Sequence, residues 1–165
     1  MWAAELKLPA LTSPVMDLGN FLSEAEEQDL AQYAYEIYTN NGPQITLLTV
    51  PDLQGYEIED FSIRVAEKWQ LGTKEKDNGL LVILSREERK VRIEVGNGIE
   101  GEVTDYDTAK FTRDIFPRYF KDGQFYAGFR EFMDWTAQTF QIKTQEGNRY
   151  VRRAPRRTGI PGGNF

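Results

Sequence analysis

The chain contains no cysteine and no histidine in 165 residues. The first absence excludes disulfides, thiolate metal sites and a cysteine nucleophile. The second excludes a Ser-His-Asp triad, histidine phosphotransfer and histidine-bound zinc. Catalysis by this chain would have to run on carboxylates, Lys, Arg, Tyr, Ser, Thr or a bound metal ion. Long apolar runs are also missing: no stretch of about 18 apolar residues occurs, so no transmembrane helix is expected. The opening Met1-Trp2-Ala3-Ala4-Glu5 lacks the apolar centre of a signal peptide, although its small residues suit a trimmed export signal.

At 40% hydrophobic and 13% aromatic, the chain has material for one globular domain with a substantial core. Its charge is split. Residues 1–140 hold 14 Lys and Arg against 25 Asp and Glu, a net of −11, whereas residues 141–165 hold six against one, a net of +5. An acidic body disfavours nucleic acid, whose phosphates need Lys and Arg, and favours divalent cations or a basic protein partner. The tail carries Arg149, Arg152, Arg153, Arg156 and Arg157 before Gly159-Ile160-Pro161-Gly162-Gly163, a composition expected to be flexible. The expected organisation is an N-terminal extension over 1–12, a folded domain over 13–140 and a basic tail over 141–165. Nothing calls for an oligomer, and a monomer is expected.

Gly96-Asn97-Gly98-Ile99-Glu100-Gly101 spells the G-x-G-x-x-G of a dinucleotide turn. Its surroundings contradict that reading, because Glu94, Glu100, Glu102, Asp105 and Asp107 would face a pyrophosphate with carboxylates. The next helix should open near Thr104 or Asp105, too late to place a glycine in its first turn. No nucleotide is expected. The glycines read either as positive-φ turns or as part of a cation site.

Periodicity orders the chain as helix, strand, helix, strand, strand, helix, helix, with a short strand near Val15. Ser23 and Glu26 form a capping box ahead of Leu30, Ala34, Ile37 and Tyr38. Gln44 to Val50 reads as a buried strand, and Ile58, Phe61, Val65 and Trp69 form the inner stripe of a second helix. Leu80 to Leu84 is an unbroken apolar run typical of a strand covered on both faces. Val91, Ile93 and Val95 alternate with charged residues, so these two strands should form an antiparallel hairpin. A helix bearing Phe111 and Ile115 should break at Pro117, and an aromatic last helix should run from about Gln124 to Phe140. The fold class expected is α/β: a three-layer α/β/α sandwich with a small mixed sheet containing that hairpin.

Several stretches are more specific than periodicity. They are Val15-Met16-Asp17 with Leu22-Ser23, Gln44-Ile45, Trp69-Gln70-Leu71-Gly72, Lys76-Asp77-Asn78-Gly79-Leu80-Leu81, Arg89-Lys90-Val91-Arg92-Ile93-Glu94, and the glycine turn with Asp105. Together these resemble the TPM domain, a family of bacterial exported proteins and of chloroplast thylakoid-lumen proteins linked to photosystem II maintenance. The resemblance spans about residues 13 to 140. It implies an α/β/α fold, divalent cation binding with calcium, and a phosphatase activity. It also implies a place outside the cytoplasm, in the periplasm, at the cell surface or in the thylakoid lumen, with a membrane anchor in many bacterial members. Asn97 stands where a typical member has an aromatic residue.

The candidate metal ligands are Asp77, Asn78, Glu100 and Asp105, with Asp17 completing the shell if its segment pairs nearby. Calcium takes six to eight oxygens, and loops supply them readily. The hairpin should bring Asp77, Glu100 and Asp105 to one edge of the sheet, where carboxylates gathered without a neighbouring Lys or Arg would repel each other unless a cation joined them. Taken singly, Asp77-Asn78-Gly79 is also an ordinary turn, Asp105 a helix cap and Glu100 a solvated charge. Asp105-Tyr106-Asp107 has the D-x-D spacing of aspartate-nucleophile phosphatases but not their position directly after a buried strand. The leading expectation is a calcium-binding (or magnesium-binding) interaction domain that assists assembly or turnover of membrane protein complexes. The alternative is a metal-dependent phosphatase of low activity.

Overall fold

The computed structural model describes residues 5–143. Its sheet has the order β1-β2-β3-β4, where β1 is Val15–Asp17, β2 is Gln44–Val50, β3 is Gly79–Ser85 and β4 is Lys90–Val95. The first three strands are parallel, and β4 returns antiparallel to β3 with Leu80 opposite Val95 and Ser85 opposite Lys90. The helices are α1 (Glu24–Thr39), α2 (Ile58–Trp69), α3 (Asp105–Lys110), α4 (Phe116–Phe120) and α5 (Phe125–Thr139). This is the three-layer α/β/α sandwich with a mixed sheet and hairpin.

Strand alternation divides the core. Leu80, Val82 and Leu84 of β3 face one cluster, with Ile45 and Leu47 of β2, Leu30, Tyr33 and Ile37 of α1, and Phe129, Phe132 and Met133 of α5. Leu81 and Ile83 face the other, with Leu48, Phe61, Val65 and Trp69, sealed by Leu6, Leu8 and Leu11 from the segment before β1. Successive strand residues point to opposite faces, so an all-apolar β3 requires cover on both sides. The capping box at α1 forms as expected: Ser23 Oγ accepts from Glu26 N–H and the Glu26 carboxylate accepts from Ser23 N–H. Tyr38, expected on the inner stripe, is 39% exposed, and Tyr33 is buried instead.

Two features depart from the sequence reading. Pro117 does not break its helix. A π turn over Phe111–Ile115 joins α3 to α4, with Phe116 N–H donating to Phe111 C=O, and Pro117 falls in the first turn of α4. The wider π turn immediately ahead of the proline accommodates its ring and its missing N–H within continuous helical backbone. The second departure is one of handedness. β1, β2 and β3 advance in one direction across the sheet, yet α1 packs on one face and α2 on the other. The two crossovers therefore have opposite hands, and one is left-handed against the usual preference. Of the flexible tail expected over 141–165, residues 144–165 lie outside the described residues.

Candidate functional site

β4 is an edge strand, and a groove of about 650 Å³ runs along it. Its floor is Arg89 to Val95. One wall is Ile58 and Glu59 at the start of α2, and the other is Val103, Asp105, Thr112, Arg113 and Pro117 on the α3–α4 side. The groove follows from the hairpin register: β3 is paired on both sides, β4 on one only. Helices on both faces of the sheet therefore overhang a free strand.

The structure distributes the expected ligands among three places. Glu100 and Asp105 are exposed and both line the groove. Asp77 and Asn78 stand at the same edge of the sheet but in the turn below it. There Asp77 Oδ2 accepts from Asn97 N–H at 3.1 Å, and Asn78 Oδ1 accepts from Thr73 N–H at 3.1 Å. Asp17 is at the opposite edge, because β1 runs parallel to β2 and places it opposite Thr49. Its carboxylate is spent on Phe21 N–H, Leu22 N–H and the Thr49 hydroxyl at 2.9, 2.7 and 2.6 Å. Among the described residues no group of three or more carboxylates is placed to hold a metal ion.

Several local readings change with this geometry. Gly96 has φ −63°, and neither Gly98 nor Gly101 is a positive-φ residue. The first two glycines are needed for close approach instead: a Cβ on Gly96 would lie 2.3 Å from Asp77 O, and one on Gly98 only 1.7 Å from Lys76 O. The non-glycine Asp77 takes the left-handed conformation, at φ 43°. Thr104, not Asp105, caps α3, and the Asp107 carboxylate accepts from Thr104 N–H and Oγ1–H. Asp107 is thus a capping residue, and the D-x-D pair is not that of an aspartate-nucleophile phosphatase.

The sequence reading also missed the cations. The groove holds Arg89, Lys90, Arg92 and Arg113 beside the carboxylates. Arg92 Nε lies 2.7 Å from Glu94 Oε2, which also accepts from the Ser62 hydroxyl at 2.7 Å. Arg113 is exposed and has no carboxylate partner among the described residues. The alternation of β4 already placed Lys90, Arg92 and Glu94 on one side, but nothing local aims Arg113 at β4. The groove can thus offer guanidinium forks to an anion and two carboxylates to water or a cation.

A family model of the TPM domain, labelled as a TPM phosphatase family, matches residues 15–139. The chain belongs to the TPM domain family. A solution NMR structure of the N-terminal domain of a protein from P. gingivalis is similar at TM-score 0.67 and 27% identity, covering 79% of this chain and 82% of that one. The N-terminal domain of cg2496 protein from Corynebacterium glutamicum, also solved by NMR, shares the fold at TM-score 0.62 and 12% identity, over 87% and 90% of the two chains. No curated protein sequence matches the chain.

Proposed function

We propose that the domain is a phosphatase of low turnover whose active site is the β4 groove. The observation that carries this reading is the gathering of Arg89, Arg92 and Arg113 with Glu100 and Asp105 in one open groove. The label of the matching family supports it. Arg113, free of a carboxylate and lining the groove with Glu100 and Asp105, is suited to bind phosphoryl oxygens through its planar fork. Asp105 or Glu100 orients the attacking water. Two carboxylates leave calcium short of its six to eight oxygens, but they suit a divalent ion that shares them with a substrate phosphate and water, as magnesium commonly does. When bound, such an ion neutralises charge on the phosphoryl oxygens. With no histidine to protonate the leaving group, turnover is slow.

The test is phosphate release from p-nitrophenyl phosphate with magnesium or calcium. Asp105→Asn and Arg113→Gln should each lower kcat/KM about tenfold or more, which is about 1.4 kcal/mol of transition-state stabilisation, at an unchanged melting temperature. Unchanged turnover in both variants would sink the proposal.

A second reading keeps the domain as a calcium-binding interaction module outside the cytoplasm that assists membrane protein complexes. It draws on the family resemblance and on Asp77, whose carboxylate accepts from Asn97 N–H in the turn that leads on to Glu100. Calcium at about 100 times its dissociation constant should stabilise the chelated protein by roughly 2.7 kcal/mol in a thermal melt, with magnesium as control. A rise lost in Asp77→Asn supports this reading, and no rise at millimolar calcium overturns it.

A further inference from the structure

The hydrogen-bonding phase of the hairpin is set by Gly96 N–H, which donates to Gly79 C=O at 2.8 Å. Because directly opposed pairs alternate between bonded and non-bonded, Leu81–Glu94, Ile83–Arg92 and Ser85–Lys90 are the bonded pairs. Val91, Ile93 and Val95 therefore point their N–H and C=O groups away from β3, and no described residue bonds them. These groups lie along the floor of the groove, where Ile93 is only 6% exposed. Open edges are usually blunted by proline, a bulge, a covering segment or charged side chains, and of these β4 carries the charges of Lys90, Arg92 and Glu94. β4 has no proline and keeps an unbroken register with β3.

The walls decide what can reach this edge. Ile58 and Glu59 on one side and Thr112 and Pro117 on the other rise beside the strand. A second copy would bring its own flanking helices against these walls, which favours a lone strand over another sheet edge as the occupant. Charge sets the ends: Arg89 and Lys90 stand where β4 begins, and Glu100 and Asp105 beyond where it ends.

We propose that the groove binds an extended segment of a partner polypeptide as an added antiparallel strand beside β4. Main-chain bonds to Val91, Ile93 and Val95 supply affinity, as in other strand-addition complexes. Side chains opposite these three face the α3 side, where Ile93 and Val103 belong to the core, and are small and apolar. The intervening side chains face Arg92 and Glu94 and are polar. An acidic residue at the C-terminal end of the segment meets Lys90, and a basic one at its N-terminal end meets Glu100. The inference does not rest on phosphoryl chemistry, since the segment needs no phosphate.

The test uses the full chain and the peptide acetyl-Lys-Val-Thr-Val-Thr-Val-Asp-amide, followed by amide NMR and hydrogen exchange. In the free protein, Arg92 and Glu94 amides should exchange more slowly than those of Val91 and Val95. Added peptide should shift the Val91, Ile93 and Val95 amides saturably and slow their exchange at least tenfold. N-methylating the three valines should abolish binding, whereas N-methylating the two threonines should preserve it. A peptide with its terminal Lys and Asp exchanged should bind about tenfold more weakly. No saturable shift at millimolar peptide, or equal binding by the valine-methylated peptide, overturns strand addition. Equal binding by the charge-exchanged peptide overturns the assigned direction.

Discussion

The Thr49 hydroxyl donates to Asp17 Oδ1 at 2.6 Å and its oxygen accepts from Gly19 N–H at 2.9 Å. Asp17 thereby ties the end of β1 to β2 and, through Phe21 N–H and Leu22 N–H, holds the loop that leads into α1. Asp17→Ala leaves three donors without their acceptor. The expected loss is about 2 to 4 kcal/mol by urea denaturation, since each stranded partly buried donor costs on the order of 1 kcal/mol or more. Under the proposed phosphatase reading, phosphate release per folded molecule should not change, because the carboxylate is at the opposite edge from the groove.

Gly98→Ala and Gly101→Ala separate packing from chain flexibility. The first puts a Cβ 1.7 Å from Lys76 O, and the second meets nothing within 4 Å. Gly98→Ala should destabilise by about 2 kcal/mol or more, within the range for overpacked sites. Gly101→Ala should stay within roughly 0.5 kcal/mol of the parent. Equal melting temperatures for the two variants would refute the close approach of the two turns.

Arg130 is buried between α1 and α5, 3.4 Å from Asp29 and 3.6 Å from Asp134, with its guanidinium 3.9 Å above the Tyr33 ring. Burial raises the Asp134 carboxyl above its ordinary range, although the Tyr33 hydroxyl at 2.7 Å and the Arg130 charge oppose the shift. The folded state then holds this proton more tightly than the unfolded chain, so this contribution to stability falls as pH rises from the ordinary aspartate pKa through the raised one. The advantage of the parent over Asp134→Asn should be greatest in acid and shrink across that window, read from urea midpoints between about pH 3 and 7. At neutral pH, Asp134→Ala removes a partner from a buried guanidinium and should cost about 3 kcal/mol.

Glu88 has the opposite sign. Burial pushes its carboxyl up, but hydrogen bonds from the Ser85 hydroxyl and Leu53 N–H, with its own N–H and the Lys90 charge, bring it below the usual value. Its stabilisation is present above the unfolded glutamate pKa and is lost as pH falls through the lowered one. Glu88→Gln should therefore make stability less sensitive to acid below about pH 4.3. An unchanged acid limb would show that the carboxylate bonds do not persist in solution.

The local elements were legible because their causes are local. Ser23 and Glu26 spell their own capping box, Leu80 to Leu84 is an unbroken apolar run of strand length typical of a doubly covered strand, and Val91, Ile93 and Val95 declare a half-exposed one. Pro117 misled because a π turn, invisible to composition, shifts the helical register ahead of it. The candidate site was half legible. Glu100 and Asp105 reach one groove through the hairpin, but Asp77 and Asn78 are drawn into turn hydrogen bonds and Asp17 belongs to the far edge.

The sequence by itself determined the fold class, the hairpin, the family resemblance and the exclusion of histidine and cysteine chemistry, since all rest on residue type and short-range spacing. Only the tertiary structure decided the rest. The face on which α2 packs and the unpaired side of β4 depend on contacts between residues far apart in the chain. So does the company that Arg113 keeps with Glu100 and Asp105. Such contacts are set by how complete surfaces bury one another, a quantity that no short window of sequence contains.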